Sequence, residues 1–237
     1  MKKFTMILLL GIPMIMFSDY CRAQVLNRFY LQGKVGYKNT YQEIVINPVY
    51  DAGSEFFEGV ALVMQGGKRG YINTAGREFI ALQFDDASPF VNGLACVKYA
   101  GKYGFINLNG DWIIQPIYDN AFSFSEGMAR VEKKGRWGFV NPRGELIIPC
   151  IYEQASDYST GLAAVRKDNK VGFIGLKGET ILPFINDFAM NFNADKEAMV
   201  TREGKQFMIS LSGKILREVE PFNEHEEHER DRKKTKR

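Results

Sequence analysis

The sequence predicts an all-β protein built from a tandem repeat of about 34 residues, a period typical of repeat architectures. Three observations carry that prediction. Gly36, Gly70, Gly104, Gly138 and Gly172 recur at one constant interval without a slip, and a fixed period in this range marks one supersecondary unit copied along the chain. Around each glycine, apolar and polar residues alternate with period two, as in Ala95, Val97 and Tyr99 against Leu94, Cys96 and Lys98, the signal of a half-buried strand. No segment sustains a helical period.

Residues 94–119 illustrate one unit. Its first strand, Leu94 to Tyr99, shares a small-residue core with Ala61-Leu62-Val63, Ala129-Arg130-Val131 and Ala163-Ala164-Val165. The Ala/Val face recurs and is expected inside; the opposite face, which takes Arg130 and Arg166, is expected in water. A turn follows at Ala100-Gly101, with Gly66-Gly67, Lys134-Gly135 and Asp168-Asn169 in its place elsewhere, residues that tolerate the positive φ of tight hairpins. The second strand, Tyr103 to Asn107, carries the repeated glycine. A glycine inside a strand marks a bulge or a close approach, and an aromatic ring over the bare Cα is the expected neighbour.

The next turn, Asn141-Pro142-Arg143-Gly144 in one copy, has the residue preferences of type I. The third strand begins at Trp112-Ile113-Ile114 and meets Pro116, where it is expected to bend or leave the sheet, because proline removes a ladder donor. The unit is thus a three-stranded meander followed by a connecting loop. Phe56, Phe90, Phe124, Tyr158 and Phe192 recur in that loop at the same interval as the glycines, and predict an internal aromatic ladder between repeats.

Six units occupy residues 24–222, at about 24–57, 58–91, 92–125, 126–159, 160–194 and 195–222. One unit is too small to bury its own apolar face, so neighbours must stack. The expected assembly is an open, β-solenoid-like array; the alternative is a closed, six-bladed propeller-like ring. Propeller blades usually have four strands and about 40–50 residues, so the shorter period favours the open array. The sixth copy, Lys205-Gln206-Phe207-Met208-Ile209, arrives one position late and without its glycine, and it reads as a cap.

The matching positions include Lys68-Arg69-Gly70-Tyr71-Ile72-Asn73, Lys102-Tyr103-Gly104-Phe105-Ile106-Asn107 and Arg136-Trp137-Gly138-Phe139-Val140-Asn141. With the Glu-Gly-x-Ala-x-Val segment Glu126 to Val131 and the Ile-Ile-x-Pro-x-Tyr segment Ile113 to Tyr118, the pattern resembles the WG-repeat family. Trp137-Gly138 is the one copy that keeps the Trp-Gly dipeptide. The resemblance spans about residues 24 to 222 and implies an architecture in bacterial proteins that are often of unknown function.

The first 23 residues read as a secretory signal peptide cut before Gln24: Lys2 and Lys3, an apolar run from Phe4 to Phe17, then Cys21-Arg22-Ala23. About 14 apolar residues fall short of the roughly 20 of a spanning helix, so no transmembrane segment is expected after cleavage. The protein is expected in the periplasm, on the outer surface or secreted. Of the 31 basic and 28 acidic residues, the first 23 positions hold three and one, and the tail 223–237 holds six and five. Residues 24–222 therefore carry 22 of each. A neutral body offers no footprint for phosphate backbones, which disfavours nucleic acid. Cys96 and Cys150 lie in different strands, and their pairing is left open.

Catalytic and cofactor chemistry find little support. Both histidines, His225 and His228, fall in the charged tail, which is expected to be disordered. No Ser/His or Cys/His arrangement is therefore available in the body, and no metal or cofactor is expected. The acids after the aromatic, Asp51, Asp85, Asp119, Glu153 and Asp187, recur with the period and are expected to serve a turn. Lys34, Lys68, Lys102, Arg136, Lys170 and Lys205 recur as well. They form either a basic stripe toward an anionic polymer or, preferentially, pairs with the periodic acids. The function that fits is a non-catalytic binding or scaffold module for a protein partner in the bacterial envelope. The alternative is envelope polysaccharide, held by Tyr103, Trp112 and Trp137 with Lys68, Lys102, Arg136 and Lys170.

Overall fold

A computed structural model describes residues 25–219. The signal peptide expected at 1–23, the tail expected to be disordered at 223–237 and both histidines lie outside the described residues. The described chain folds into 23 β-strands in six antiparallel sheets, with no helix.

The first sheet holds Asn27–Leu31, Lys34–Lys38 and Ile44–Tyr50. The second holds Ala52–Gly53, Val60–Gln65, Lys68–Asn73 and Glu78–Phe84, and the third Asp86–Ala87, Leu94–Tyr99, Lys102–Asn107 and Trp112–Tyr118. The fourth holds Asn120–Ala121, Ala129–Lys133, Arg136–Val140 and Leu146–Tyr152, the fifth Gln154–Ala155, Ala163–Lys167, Lys170–Ile174 and Thr180–Asn186. The sixth holds Phe188–Ala189, Glu197–Arg202, Lys205–Ser210 and Ile215–Val219. Within each sheet the strands run in chain order; they are termed here the short, hairpin, glycine and outer strands. The three-stranded meander expected from sequence is complete in the first sheet. The next five add the two-residue short strand, formed by residues read as connecting loop. One residue separates each outer strand from the next short strand, so the periodic acid stands at every crossing between sheets.

Turn chemistry fixes the hairpins. Gly66 and Gly67, Ala100 and Gly101, and Lys134 and Gly135 all have positive φ, the signature of a type I′ turn whose twist matches the strands it joins. The Asn turns also follow expectation: Gly144 N donates to Asn141 O at 2.9 Å, and the Asn141 side chain accepts from Arg143 N and Glu145 N, both at 3.0 Å.

The repeated glycine makes room for backbone, which corrects the expected ring. Opposite Tyr103 to Phe105 the outer strand runs from Tyr118 to Ile114, two residues longer, so it bulges over Gly104. A Cβ there would lie 2.5 Å from Ile114 O and 2.9 Å from Pro116 N. A ring also crowds the glycine in the first and fifth sheets, from Phe29 and Phe184. Pro116 therefore stays within its strand, at a bulge where its missing N–H costs no ladder bond.

The core lies between sheets. Five clusters join first to second, second to third, and so on to the sixth. Among the described residues no cluster joins the sixth to the first. The second expectation corrected is the wet face. Ala95 and Val97 pack on the second sheet while Cys96, from the opposite face, is buried against the fourth. A sheet stacked on both sides has no solvent face, and Leu62, Cys96 and Ala164 fill the second interface. Where Arg130 stands instead, the guanidinium lies 3.6 Å from the Phe122 ring centroid and 5.4 Å from that of Trp137.

Candidate functional site

The periodic cations and acids meet in pairs, as expected. Lys34 Nζ lies 2.5 Å from Asp51 Oδ1, Lys68 Nζ 2.6 Å from Asp85 Oδ1, and Lys170 Nζ 2.5 Å from Asp187 Oδ1. Lys102 pairs with Asp119, Arg136 with Glu153 at 3.5 Å, and Lys205 with Glu218 at 3.4 Å. Each of the first five acids has a second duty at the hairpin turn of the next sheet. Asp51 Oδ2 accepts from Gly66 N at 2.8 Å, Asp119 Oδ2 from Lys134 N at 2.6 Å, and Asp187 Oδ2 from Glu203 N at 2.8 Å. Asp85 and Glu153 take Gly101 N at 3.4 Å and Asn169 N at 3.2 Å. The lysine bond first, and the amide bond second, hold the Asp51, Asp85, Asp119 and Asp187 carboxyls below their ordinary range. The first five cations of the row are thus committed to clamps between consecutive sheets, while Lys205 pairs within its own sheet.

The aromatic candidates are also engaged. Tyr103 is half-buried and its hydroxyl donates to Asp86 Oδ2 at 3.1 Å. Half-buried Trp112 meets Phe84 and Tyr99 edge-on, with centroids 6.1 and 6.3 Å away. Half-buried Trp137 packs beside Phe122 at 5.9 Å and flanks Arg130, whose Nη1 donates to Ala155 O at 2.8 Å. The structure distributes Tyr103, Trp112 and Trp137 over inter-sheet packing and brings no two of them together as a platform.

Cys96 and Cys150 are free thiols that share the cluster between the third and fourth sheets. Burial pushes the Cys96 thiol up to about 12, so it is an inert apolar group rather than a nucleophile. Among the described residues no group of His, Cys, Asp and Glu is placed to hold a metal. A cavity of about 140 Å³ between the fifth and sixth sheets is lined by Gln154, Arg166 and Phe188 among others. Its guanidinium is spent on Gln154 Oε1, Asn169 O and Asp187 O at 2.8–3.0 Å.

What sequence reasoning missed lies on the outer strands. Val49, Ile117, Ile151 and Ile185 occupy the same position in four sheets and are 45–51% exposed. Gln83 takes that place in the second sheet. The bulge explains the exposure: the extra residues of each outer strand push this side chain away from the core, while Ile114 and Tyr118 on either side of it are buried. Leu146, Ile147 and Ile181 on the same strands are also exposed. The signal was present as an apolar residue directly before the aromatic, in Pro48-Val49-Tyr50 and Pro116-Ile117-Tyr118, but an apolar run inside a strand reads as core.

The family described as the WG containing repeat matches residues 36–68, 70–103, 103–137 and 137–170. No curated protein matches the chain. Among solved structures, the fold is similar to that titled as a eukaryotic initiation factor, with TM-score 0.55 and 10% identity over 84% of this chain. The chain spans 63% of that structure's length. Lower similarity is found to Hsv2p of Kluyveromyces lactis, TM-score 0.47 at 8% identity over 85% of this chain and 73% of that one. The extracellular domain of a putative one-component system from B. thetaiotaomicron gives TM-score 0.44 at 9% identity, over 80% and 33%. The first of these is a propeller-like likeness, and at such identity it speaks for fold alone.

Proposed function

The chain belongs to the WG containing repeat family, and from that premise we propose that it is a non-catalytic, exported module that binds a protein partner in the bacterial envelope. The observation that carries this reading is the periodic apolar row Val49, Ile117, Ile151 and Ile185. Isolated exposed apolar residues are ordinary, but exposed apolar side chains that recur at one position of successive repeats, with Leu146, Ile147 and Ile181 exposed on the same strands, favour an interaction surface. Repeat arrays hold such rows at fixed intervals on an extended face. Two further features support a binding role over catalysis: the periodic acids are occupied as structural clamps, and the buried Cys96 thiol is unreactive.

Envelope polysaccharide is the second reading. It would use Tyr103, Trp112 and Trp137 with Lys68, Lys102, Arg136 and Lys170. It ranks second because those rings and cations already have partners within the fold.

The test is affinity capture from a cross-linked envelope fraction, with residues 24–237 as bait and the Ile117→Asp, Ile151→Asp, Ile185→Asp triple variant beside it. One dominant protein captured by the parent and lost from the triple variant supports the proposal. Equal capture by both baits removes the row from the site, and retention of both on cell-wall material alone moves polysaccharide to first place.

A further inference from the structure

The junction between the fifth and sixth sheets is less filled than the junction before it. In the fourth sheet Phe122, Arg130, Trp137 and Tyr152 serve the contact with the fifth. The guanidinium packs over the Phe122 ring beside Trp137, and Trp137 and Tyr152 join the cluster between the two sheets. One period later the same positions hold Ser156, Ala164, Val171 and Asn186. Four bulky side chains, three of them aromatic, have given way to smaller ones. Ala164 and Val171 still belong to the cluster that joins the fifth sheet to the sixth. Asn186 is held to its own sheet, its Nδ2 donating to Val171 O at 3.0 Å. The cavity of about 140 Å³ is the space this exchange leaves, with Ser156, Ala164 and Val171 in its wall.

Size and lining state what fits. A cavity of about 150 Å³ with apolar walls accepts a benzene ring, whereas sites for larger ligands run to about 300–1,000 Å³. Ala155, Ala164, Val171 and Ala189 make this wall largely apolar, so a sugar ring would set hydroxyls against carbon with no partner. The polar part of the wall is Gln154 and Arg166, joined to each other from Nε to Oε1 at 3.0 Å. Three of the five guanidinium N–H groups are used, on Gln154, Asn169 and Asp187. Two donors remain for a hydroxyl. An apolar ring with one polar tip is a phenol.

The cavity also lies near the apolar row. Phe188, its wall from the sixth sheet, is 48% exposed, and Ile185 and Met190 on either side of it in the chain are 46% and 52% exposed. Ile185 belongs to the row and stands three residues before Phe188, a separation the chain limits to about 11 Å.

We propose that this cavity is the socket for one tyrosine side chain of the protein partner. The inference rests on the protein-partner reading and adds to it the residue that anchors the contact. The incoming ring takes the place that Phe122 and Trp137 fill from within the chain one junction earlier, and its hydroxyl accepts from Arg166. Aromatic anchors seated in pockets are where binding energy concentrates.

The test begins with p-cresol, the tyrosine side chain on its own, titrated into the full chain while NMR follows the amides of Ala155, Ala164 and Ala189. Saturable shifts are expected at these residues. Affinity is expected to fall at least tenfold in Ala164→Leu, which fills the cavity with the residue that Leu62 supplies at this position of the second sheet. Val171→Tyr, after Tyr103 of the third sheet, serves in its place if that variant does not fold. Ala164→Leu then joins the envelope capture as bait, and the dominant protein is expected to be lost from it. No saturable binding by the parent, or equal binding by the filled variant, overturns the socket; the titration contains no partner, so the protein-partner reading stands. Loss of p-cresol binding with capture unchanged overturns the partner's side chain as occupant. A parent that binds p-cresol but captures no protein overturns the protein-partner reading, and the named occupant with it.

Discussion

The rings of Tyr71 and Phe90 lie with centroids 4.7 Å apart and planes at 54°, one from the second sheet and the other from the loop of the third. The Tyr71 hydroxyl continues across the same junction and donates to Ser88 O at 2.6 Å. Burial pushes that phenol up, which keeps it a neutral donor. The contact recurs as Tyr37–Phe56, Phe105–Phe124, Phe139–Tyr158 and Phe173–Phe192, at 4.9–5.0 Å. Since each sheet lacks a core of its own, these five ring pairs and the clusters around them join the sheets.

Phe90→Ala is therefore expected to cost about 3–5 kcal/mol, the range for a buried phenylalanine cut to alanine. Phe90 is 1% exposed and Tyr71 is fully buried. Urea unfolding of parent and variant checks this, and a loss under about 1 kcal/mol would mean that neighbouring side chains close the gap.

Gly104→Ala tests the bulge. Its Cβ would stand 2.5 Å from Ile114 O, and main chain on both sides must then shift. A cost of about 1–3 kcal/mol is expected, as for overpacking. Gly101 is a control of a different kind: it has open space around it but a φ of +80°, so Gly101→Asn, a residue tolerant of that φ, is expected to be near neutral. Thermal denaturation of both variants separates steric from conformational cost.

Much of this architecture was legible in the chain. The period of Gly70, Gly104 and Gly138, the turns at Gly66-Gly67 and Asn141, and the aromatic ladder each depend on local chemistry that a residue type reports directly. The burial of both faces was not legible, because Arg130 and Arg166 suggested water, and a guanidinium packed over the Phe122 ring beside Trp137 looks from sequence like an exposed one. The short strands were hidden too: Asn120–Ala121 and its equivalents have two residues each, below any periodic signal. The apolar row was masked because its position depends on the bulge, a tertiary feature of the strand opposite each glycine.

Acid is expected to loosen the clamps before it reaches the cores. Asp51, Asp85, Asp119 and Asp187 have folded pKa values below the unfolded value of about 3.9. Their contribution is thus present above about pH 4 and is lost as pH falls through the lower folded values. Calorimetry from pH 7 to pH 3 is expected to show a Tm that declines below about pH 4. Asp119→Asn keeps an acceptor for Lys134 N but removes the charge beside Lys102, so its decline is expected to be shallower. Parallel curves for parent and variant would assign the acid sensitivity elsewhere.

The apolar row makes a prediction about stability that is separate from binding. Ile117→Asp and Ile151→Asp replace side chains that are 46% and 51% exposed. Each is expected to change stability by within about 0.5 kcal/mol, as surface substitutions do. A loss beyond about 2 kcal/mol by urea unfolding, the size expected when a charge is forced into packing, would withdraw these residues from the interaction surface.

The cation row allows a choice between attraction to a polymer and cohesion between sheets. Lys68, Lys102 and Arg136 each hold an acid that also holds the next hairpin turn. If cohesion is their task, changing all three to Gln removes charge from the clamps without removing a ligand. Tm at neutral pH is then expected to fall, and retention on an anionic polysaccharide column to stay where the parent's was. If they form a basic surface, retention falls at low salt and the difference closes as salt screens it. The geometry predicts the first result, because each acid has a carboxylate oxygen on the cation and neutralises it where a polymer would bind. Running both measurements on one preparation of the triple variant decides between them.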